Sequence, residues 1–159
     1  KIMKQLFILF PLILLSCSIN NTDTIDTIKQ DSKEINAIKK LLTAQQACWN
    51  NGDIDGFMEG YWNSEELIFT SATHKPAYGW ENTLERYKKS YPTKASMGEF
   101  RFEILDTELT SKETATLKGK WELIRMNDNP NGLFWLDLKK INENWLITKD
   151  STISFDKYF

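Results

Sequence analysis

The chain predicts an α+β domain, and two observations carry that assignment. Apolar residues recur at helical spacing in three segments between Glu34 and Tyr91, while the chain from about Phe100 onward alternates apolar and charged residues at the period of a strand. Helices followed by a run of strands is the order of a fold whose helices pack on one face of an antiparallel sheet. At 159 residues the chain has the size of one ordinary domain, and 41% hydrophobic with 13% aromatic residues suffices for a packed core.

The elements follow in order. The stretch KIMKQLFILFPLILLSC places Lys1 and Lys4 ahead of an apolar run from Leu6 to Leu15, then Ser16 and Cys17. That run is too short to span a hydrocarbon layer of roughly 30 Å as a helix, and its basic, apolar, small-residue order is that of a secretory signal. Residues 1–16 are therefore expected to be a signal peptide. Its end, LLSC, resembles the lipobox of bacterial lipoproteins, which makes Cys17 the lipidation site and the membrane anchor; a plain signal peptide with an incidental cysteine, or a hydrophobic N-terminal helix, is the alternative. Residues 17–32, rich in Ser, Thr, Asn and Asp, read as a flexible tether with a reach on the order of 20 Å. The folded domain is expected over residues 33–159, in the cell envelope on the extracytoplasmic side, at a bacterial outer membrane or facing the periplasm.

From Glu34 to Trp49, Ile35, Ile38, Leu42 and Trp49 form one helical stripe, with Asp31 and Glu34 as a modest N-terminal cap. Gly52 stops this helix and Asp53 caps a second, in which Ile54, Phe57, Met58, Tyr61 and Trp62 keep the one-sided pattern. Leu67 to Ser71 is a strand, followed by a turn around His74, Lys75 and Pro76 and a short return to Gly79. Trp80, Leu84, Tyr87 and Tyr91 set a third helix over about residues 80–90, ended by Pro92. The remainder reads as four antiparallel strands of about ten residues in one curled meander, with turns at Ser111 to Glu113, at NDNPNG and at NEN.

Several chemistries lose their footing in the residues themselves. The formal charge is −2, and residues 1–16 carry two lysines and no acid, so the mature chain is more acidic still and offers no electrostatic footprint for nucleic acid. NGDIDGFMEGYW mimics a calcium loop, but the twelfth position counted from Asn51 is Trp62, where a bidentate carboxylate is required. The G-x-x-x-G of Gly52, Gly56 and Gly60 is interrupted by Asp53, Asp55 and Glu59, so it is not a membrane packing face. With one histidine, His74, no histidine pair can bind zinc, and a triad would have to recruit it from a turn, where a solvated residue is the expected reading; Cys48 on a helical apolar face reads as an inert buried thiol. No phosphate-binding or dinucleotide loop appears, so neither a metal nor any cofactor is expected.

What remains is an excess of large amphipathic aromatics. Trp49, Tyr61, Trp62, Trp80, Tyr87, Trp121 and Trp135, with Arg125, are the candidate lining of a ligand pocket, and each aromatic is otherwise a core residue. Asp150 and Asp137 are the candidate catalytic acids; beside Lys149, Asp150 is either a pocket acid or a surface carboxylate.

The strings ACWNNGDIDGFMEGYW, YGWENTLERY and NWLITKDSTIS, in this order, resemble the nuclear transport factor two-like superfamily, in particular its small SnoaL-like and ketosteroid-isomerase-like bacterial members. The resemblance spans Glu34 to about Phe155. It implies a cone: a strongly curved antiparallel sheet wrapped around a long N-terminal helix and two shorter ones, leaving an apolar cavity. It further implies a small, partly apolar ligand in that cavity, and a homodimer formed through the sheet. Relatives that are enzymes move a proton beside a carbonyl with a buried Asp or an Asp-His pair, as isomerases, dehydratases or cyclases; others are association modules. Here Lys149 and Ser151 flank Asp150 where relatives often carry histidine, so the pair is incomplete.

Overall fold

The structure, a computed structural model, describes residues 21–72 and 74–155. The expected signal peptide and Cys17 lie outside the described residues. No helix among the described residues is long and apolar enough to cross a membrane.

The order of elements is α1 (Asn21–Asn50), α2 (Ile54–Met58), β1 (Ile68–Ser71), β2 (His74–Tyr78), α3 (Trp80–Ser90), α4 (Lys94–Met97), β3 (Glu99–Leu109), β4 (Thr114–Ile124), β5 (Asn131–Ile141) and β6 (Asn144–Ser154). Six strands form one curved sheet in the order β2-β1-β6-β5-β4-β3, with the helices on its concave side, so the cone expected from the sequence is the observed fold.

The helix α1 differs from expectation at its start. It begins at Asn21, so residues 21–32 continue the helix where a coil tether was expected. Residues 25–33 are all exposed, Ile25 and Ile28 included, and no apolar stripe marks them; burial starts at Glu34 and runs through Ile38, Leu42, Gln45 and Trp49. Glu34 is not a cap. Its buried carboxylate accepts from Trp145 Nε1 at 2.8 Å and from Lys140 Nζ at 3.0 Å, which fastens α1 to the far end of β5 and β6.

Gly52, at φ +80°, takes the left-handed turn that ends α1, and Asp53 accepts from the Gly56 backbone N–H at 2.8 Å as the cap of α2. The acid that mimicked a calcium ligand is thus a helix cap. At Gly60 a Cβ would press into the Gln45 side chain, whose amide donates to the Phe57 carbonyl at 3.0 Å, so the bare backbone lets α1 and α2 meet. The chain after α2 then bonds directly to β6: Ile147 N–H donates to Gly60 O and Trp62 N–H donates to Ile147 O. Tyr61, between them, is locked facing inward.

The four long strands keep their alternation except at two bulges. In β3 the register shifts between Ile104 and Asp106, leaving Leu105 as the extra residue; in β6, Leu138 pairs with Ile147 and Asp137 with Lys149, leaving Thr148 as the extra residue. Bulges bend and coil a sheet, and these two help wrap it around the helices. The β5–β6 turn holds Asn142 at φ 48° and Glu143 at φ 64°, the paired left-handed conformation of a tight hairpin. Beyond the meander, β1 pairs with β6 in parallel, Phe69 against Asp150, a closure that no local pattern announced.

Candidate functional site

Within the cone lies a cavity of about 530 Å³. Leu42, Gln45 and Trp49 of α1, Phe57 of α2, Tyr61, Phe69 of β1, Tyr87 of α3, Phe100, Trp121 and Leu123 of the outer strands, and Leu136, Ile147 and Asp150 of β5 and β6 line it. Trp49, Phe57, Phe69, Tyr87 and Tyr91 meet mostly edge to face, with centroids 4.8 to 6.3 Å apart, as aromatic rings prefer. Trp49 keeps its indole N–H satisfied on Met97 O, so it can stand in an apolar wall without an orphan donor.

Among the described residues, the one acid in that wall is Asp150. It is buried, Tyr61 donates to its Oδ2 at 2.8 Å, and its Oδ1 has no hydrogen-bond partner among the described residues. The Tyr61 and Tyr87 hydroxyls are 3.3 Å apart; since the Tyr61 proton points to Asp150, Tyr87 donates to Tyr61 in this arrangement. Burial raises the Asp150 pKa from 3.8 to about 7, against the lowering effect of the Tyr61 bond. Burial, and then the Asp150 charge, push both tyrosines well above the usual phenol range, so both hydroxyls stay protonated donors. A carboxyl poised near neutrality, with one oxygen uncommitted and two phenols behind it, can take or give a proton.

Asp150 faces inward because of the bulge. On β6, Trp145 and Ile147 point into the core, and strict alternation would turn Lys149 inward and Asp150 out. The extra residue Thr148 reverses the phase, so Asp150 and Thr152 share the inner face with Phe69 of β1 and Leu136 of β5.

At the rim the wall is cationic. Arg86 of α3 donates from Nη1 to Lys75 O at 2.8 Å and from Nη2 to Ser71 Oγ at 2.9 Å, and its guanidinium lies 4.8 Å from the Phe69 ring centroid. Arg125 also lines the cavity but is forked onto Asp128, Nε to Oδ1 at 2.6 Å and Nη2 to Oδ2 at 2.7 Å. His74 and Ser90, both exposed, stand at the same rim.

Of the residues the sequence singled out, Trp49, Tyr61, Tyr87, Trp121, Arg125 and Asp150 meet at the cavity. Four others lie elsewhere. Asp137 is exposed on the outer face of β5, because Phe134, Leu136 and Leu138 take the inner positions and Trp135 and Asp137 the outer ones. Trp135 is accordingly 37% exposed, under Lys118 Nζ at 5.6 Å. Trp62 follows the inward Tyr61 in an extended segment and so turns away, against Lys139. Trp80 seats the start of α3 on α2 through its N–H to Met58 O. Sequence reasoning passed over Phe69 and Arg86. Phe69 needs the β1–β6 pairing to be seen, while Arg86, three residues after buried Thr83 and four before Ser90, carried a readable helical signal.

No family model matches the chain, and no curated protein does. Solved structures do. A ketosteroid isomerase-like protein from Erwinia carotovora atroseptica shares 17% identity at a TM-score of 0.65, over 77% of this chain and 96% of that one. An NTF-2-like protein with a cystatin-like fold from Novosphingobium aromaticivorans shares 9% identity at a TM-score of 0.67, over 87% and 93%. These two are alike in fold. An NTF-2-like protein of unknown function from Shewanella oneidensis is 41% identical at a TM-score of 0.73, over 76% of this chain and 98% of its own. With that identity across nearly the whole of a relative of the same architecture, this chain belongs to the NTF-2-like (nuclear transport factor two-like) family.

Proposed function

We propose that this protein binds a small, largely apolar molecule in its cavity and that Asp150 moves a proton on it. One observation carries the reading: a buried carboxyl in the cavity wall, with a pKa of about 7, one oxygen held by Tyr61 and the other unpartnered. The ionised form takes a proton from a carbon beside a carbonyl, the electron pair passes to the carbonyl oxygen as an enolate, and the Tyr87 hydroxyl turns to donate to that oxygen. Where the substrate carries a double bond β,γ to the carbonyl, return of the proton from Asp150 to the γ-carbon brings that double bond into conjugation and completes an isomerisation with no co-reactant; where it carries a β-hydroxyl, the enolate expels it and the same proton leaves with it as water. The lineage's ligand-binding and isomerase-like members make this chemistry a natural use of the fold, while fold alone assigns none.

The test follows deuterium. In D₂O with phenylbutanone, the protein should speed exchange at the carbons beside the carbonyl, and Asp150→Asn should slow that exchange by about 10²-fold, the usual worth of a positioned base. Binding without exchange above buffer would leave a ligand-binding protein and remove the enzymatic reading.

The anchor on Cys17 and an extracytoplasmic location belong to the same proposal, supported by the LLSC string. Incorporation of labelled palmitate that is lost in Cys17→Ser would establish it. We also propose a homodimer through the outer sheet face, supported by the exposed Trp135; a monomer in light scattering would rule it out.

A further inference from the structure

The charged side chains of the cavity wall are not balanced. Arg125 has its countercharge in Asp128. Among the described residues, no carboxylate lies within ion-pair distance of Arg86, although it stands half-buried in the same wall. The guanidinium has five N–H donors, and two are committed, one to Lys75 O and one to Ser71 Oγ. Those two bonds fix its plane against the Phe69 ring, itself a cavity residue, and leave donors in a rigid fork. A cation oriented by its neighbours, without a charge partner and beside an apolar floor, is how an anion site on a hydrophobic pocket is built. Phe69 pairs with Asp150 across β1 and β6, so a molecule lying along Phe69 from Arg86 runs toward the acid.

We propose that the cavity takes an apolar molecule ending in a carboxylate, whose anionic head is held at the rim by Arg86 and Ser71 while its body lies over Phe69 and Tyr87 toward Asp150. The proposal rests on the ligand-binding reading above and adds the class of ligand. The distance between head and acid then selects which carbon of the body meets Asp150. Carboxylate and reacting carbonyl are separate groups, as in an oxo acid whose oxo group lies away from its acid end.

The test uses two compounds with one apolar body, phenylbutyrate and phenylbutanol, titrated calorimetrically into the whole protein. Phenylbutyrate should bind about tenfold more tightly at low salt, and added salt should shrink that preference. Arg86→Gln should abolish the preference and keep phenylbutanol binding, whereas Arg86→Lys, which keeps the charge but not the fork, should retain part of it. Equal affinity for the two compounds in the native protein overturns the proposal and leaves the pocket reading intact. A preference that survives Arg86→Gln overturns it as well. Should neither compound bind, the pocket reading fails, and this one with it. Because the native protein alone discriminates between the acid and the alcohol, misfolding of a variant does not shelter the idea.

Discussion

Asp150 is the residue on which position and chemistry turn, and its raised pKa makes a statement about stability. The native state keeps the proton from about pH 4, where the unfolded carboxyl loses it, up to about pH 7, so the native state is favoured at low pH. This contribution is fully present below 3.8 and is lost as pH rises through about 7, a total on the order of 4 kcal/mol at about 1.4 per unit. Asp150→Asn, close in shape and always neutral, should therefore gain stability over the native protein as pH increases. Urea unfolding at about pH 5 and about pH 8 reads it: the variant's advantage must grow between the two, and a constant difference contradicts the burial argument. Tyr61→Phe removes the one bond that lowers this pKa, so the carboxyl titration, followed by carbon NMR, should move upward from about 7. That Asp150 and not Asp137 is the cavity acid could not be read from alternation. The sequence shows both acids in strands, but only the extra Thr148 turns one of them inward, and a bulge leaves no compositional trace in NWLITKD.

The helix α1 shows what an element's sequence does and does not reveal. Its packed part was legible, since Ile38, Leu42 and Trp49 repeat on one face. Its first third was not, because residues 25–33 are exposed and carry no stripe; backbone bonds and local pairs such as Gln30 to Glu34 run along that portion. In hydrogen exchange the amides of residues 25–33 should exchange far faster than those of residues 38–49, and equal protection would show a packing partner for the exposed face. Glu34 marks the boundary. Its carboxylate is held below the usual range first by the Trp145 indole and then by Lys140, so its contribution is present above the carboxylate range and is lost as pH falls. Glu34→Ala should cost about 1–3 kcal/mol in urea unfolding, because it strands the buried Trp145 N–H and leaves Lys140 with the more distant Glu143 as its carboxylate partner. Glu34→Gln keeps an acceptor oxygen and should recover part of the loss; no difference between the two variants would mean that the indole finds water instead.

At the scale of the molecule, the fold class followed from local signals, helical stripes and then alternating strands, but the cavity did not. The cavity exists because β1 returns beside β6 in parallel and the bulged sheet curls over α1, and such long-range pairings have no local signature. A fold selected only for stability would fill that space. Leu136 offers the test, since it pairs with Asp150 across β5 and β6 and faces the same cavity. Replacing it with Phe adds apolar contacts in space that a ligand would use, and at about 1 kcal/mol gained the melting temperature should rise by about 2–4 °C. The same substitution should weaken phenylbutanol binding at least tenfold, on the order of 1.4 kcal/mol, and slow the deuterium exchange proposed for Asp150. Stability rising while binding falls is the trade expected of a cavity kept open for function. If the variant instead melts lower and binds as before, Leu136 sits in a tightly packed wall, and the working space of the cone lies nearer Arg86 than Asp150.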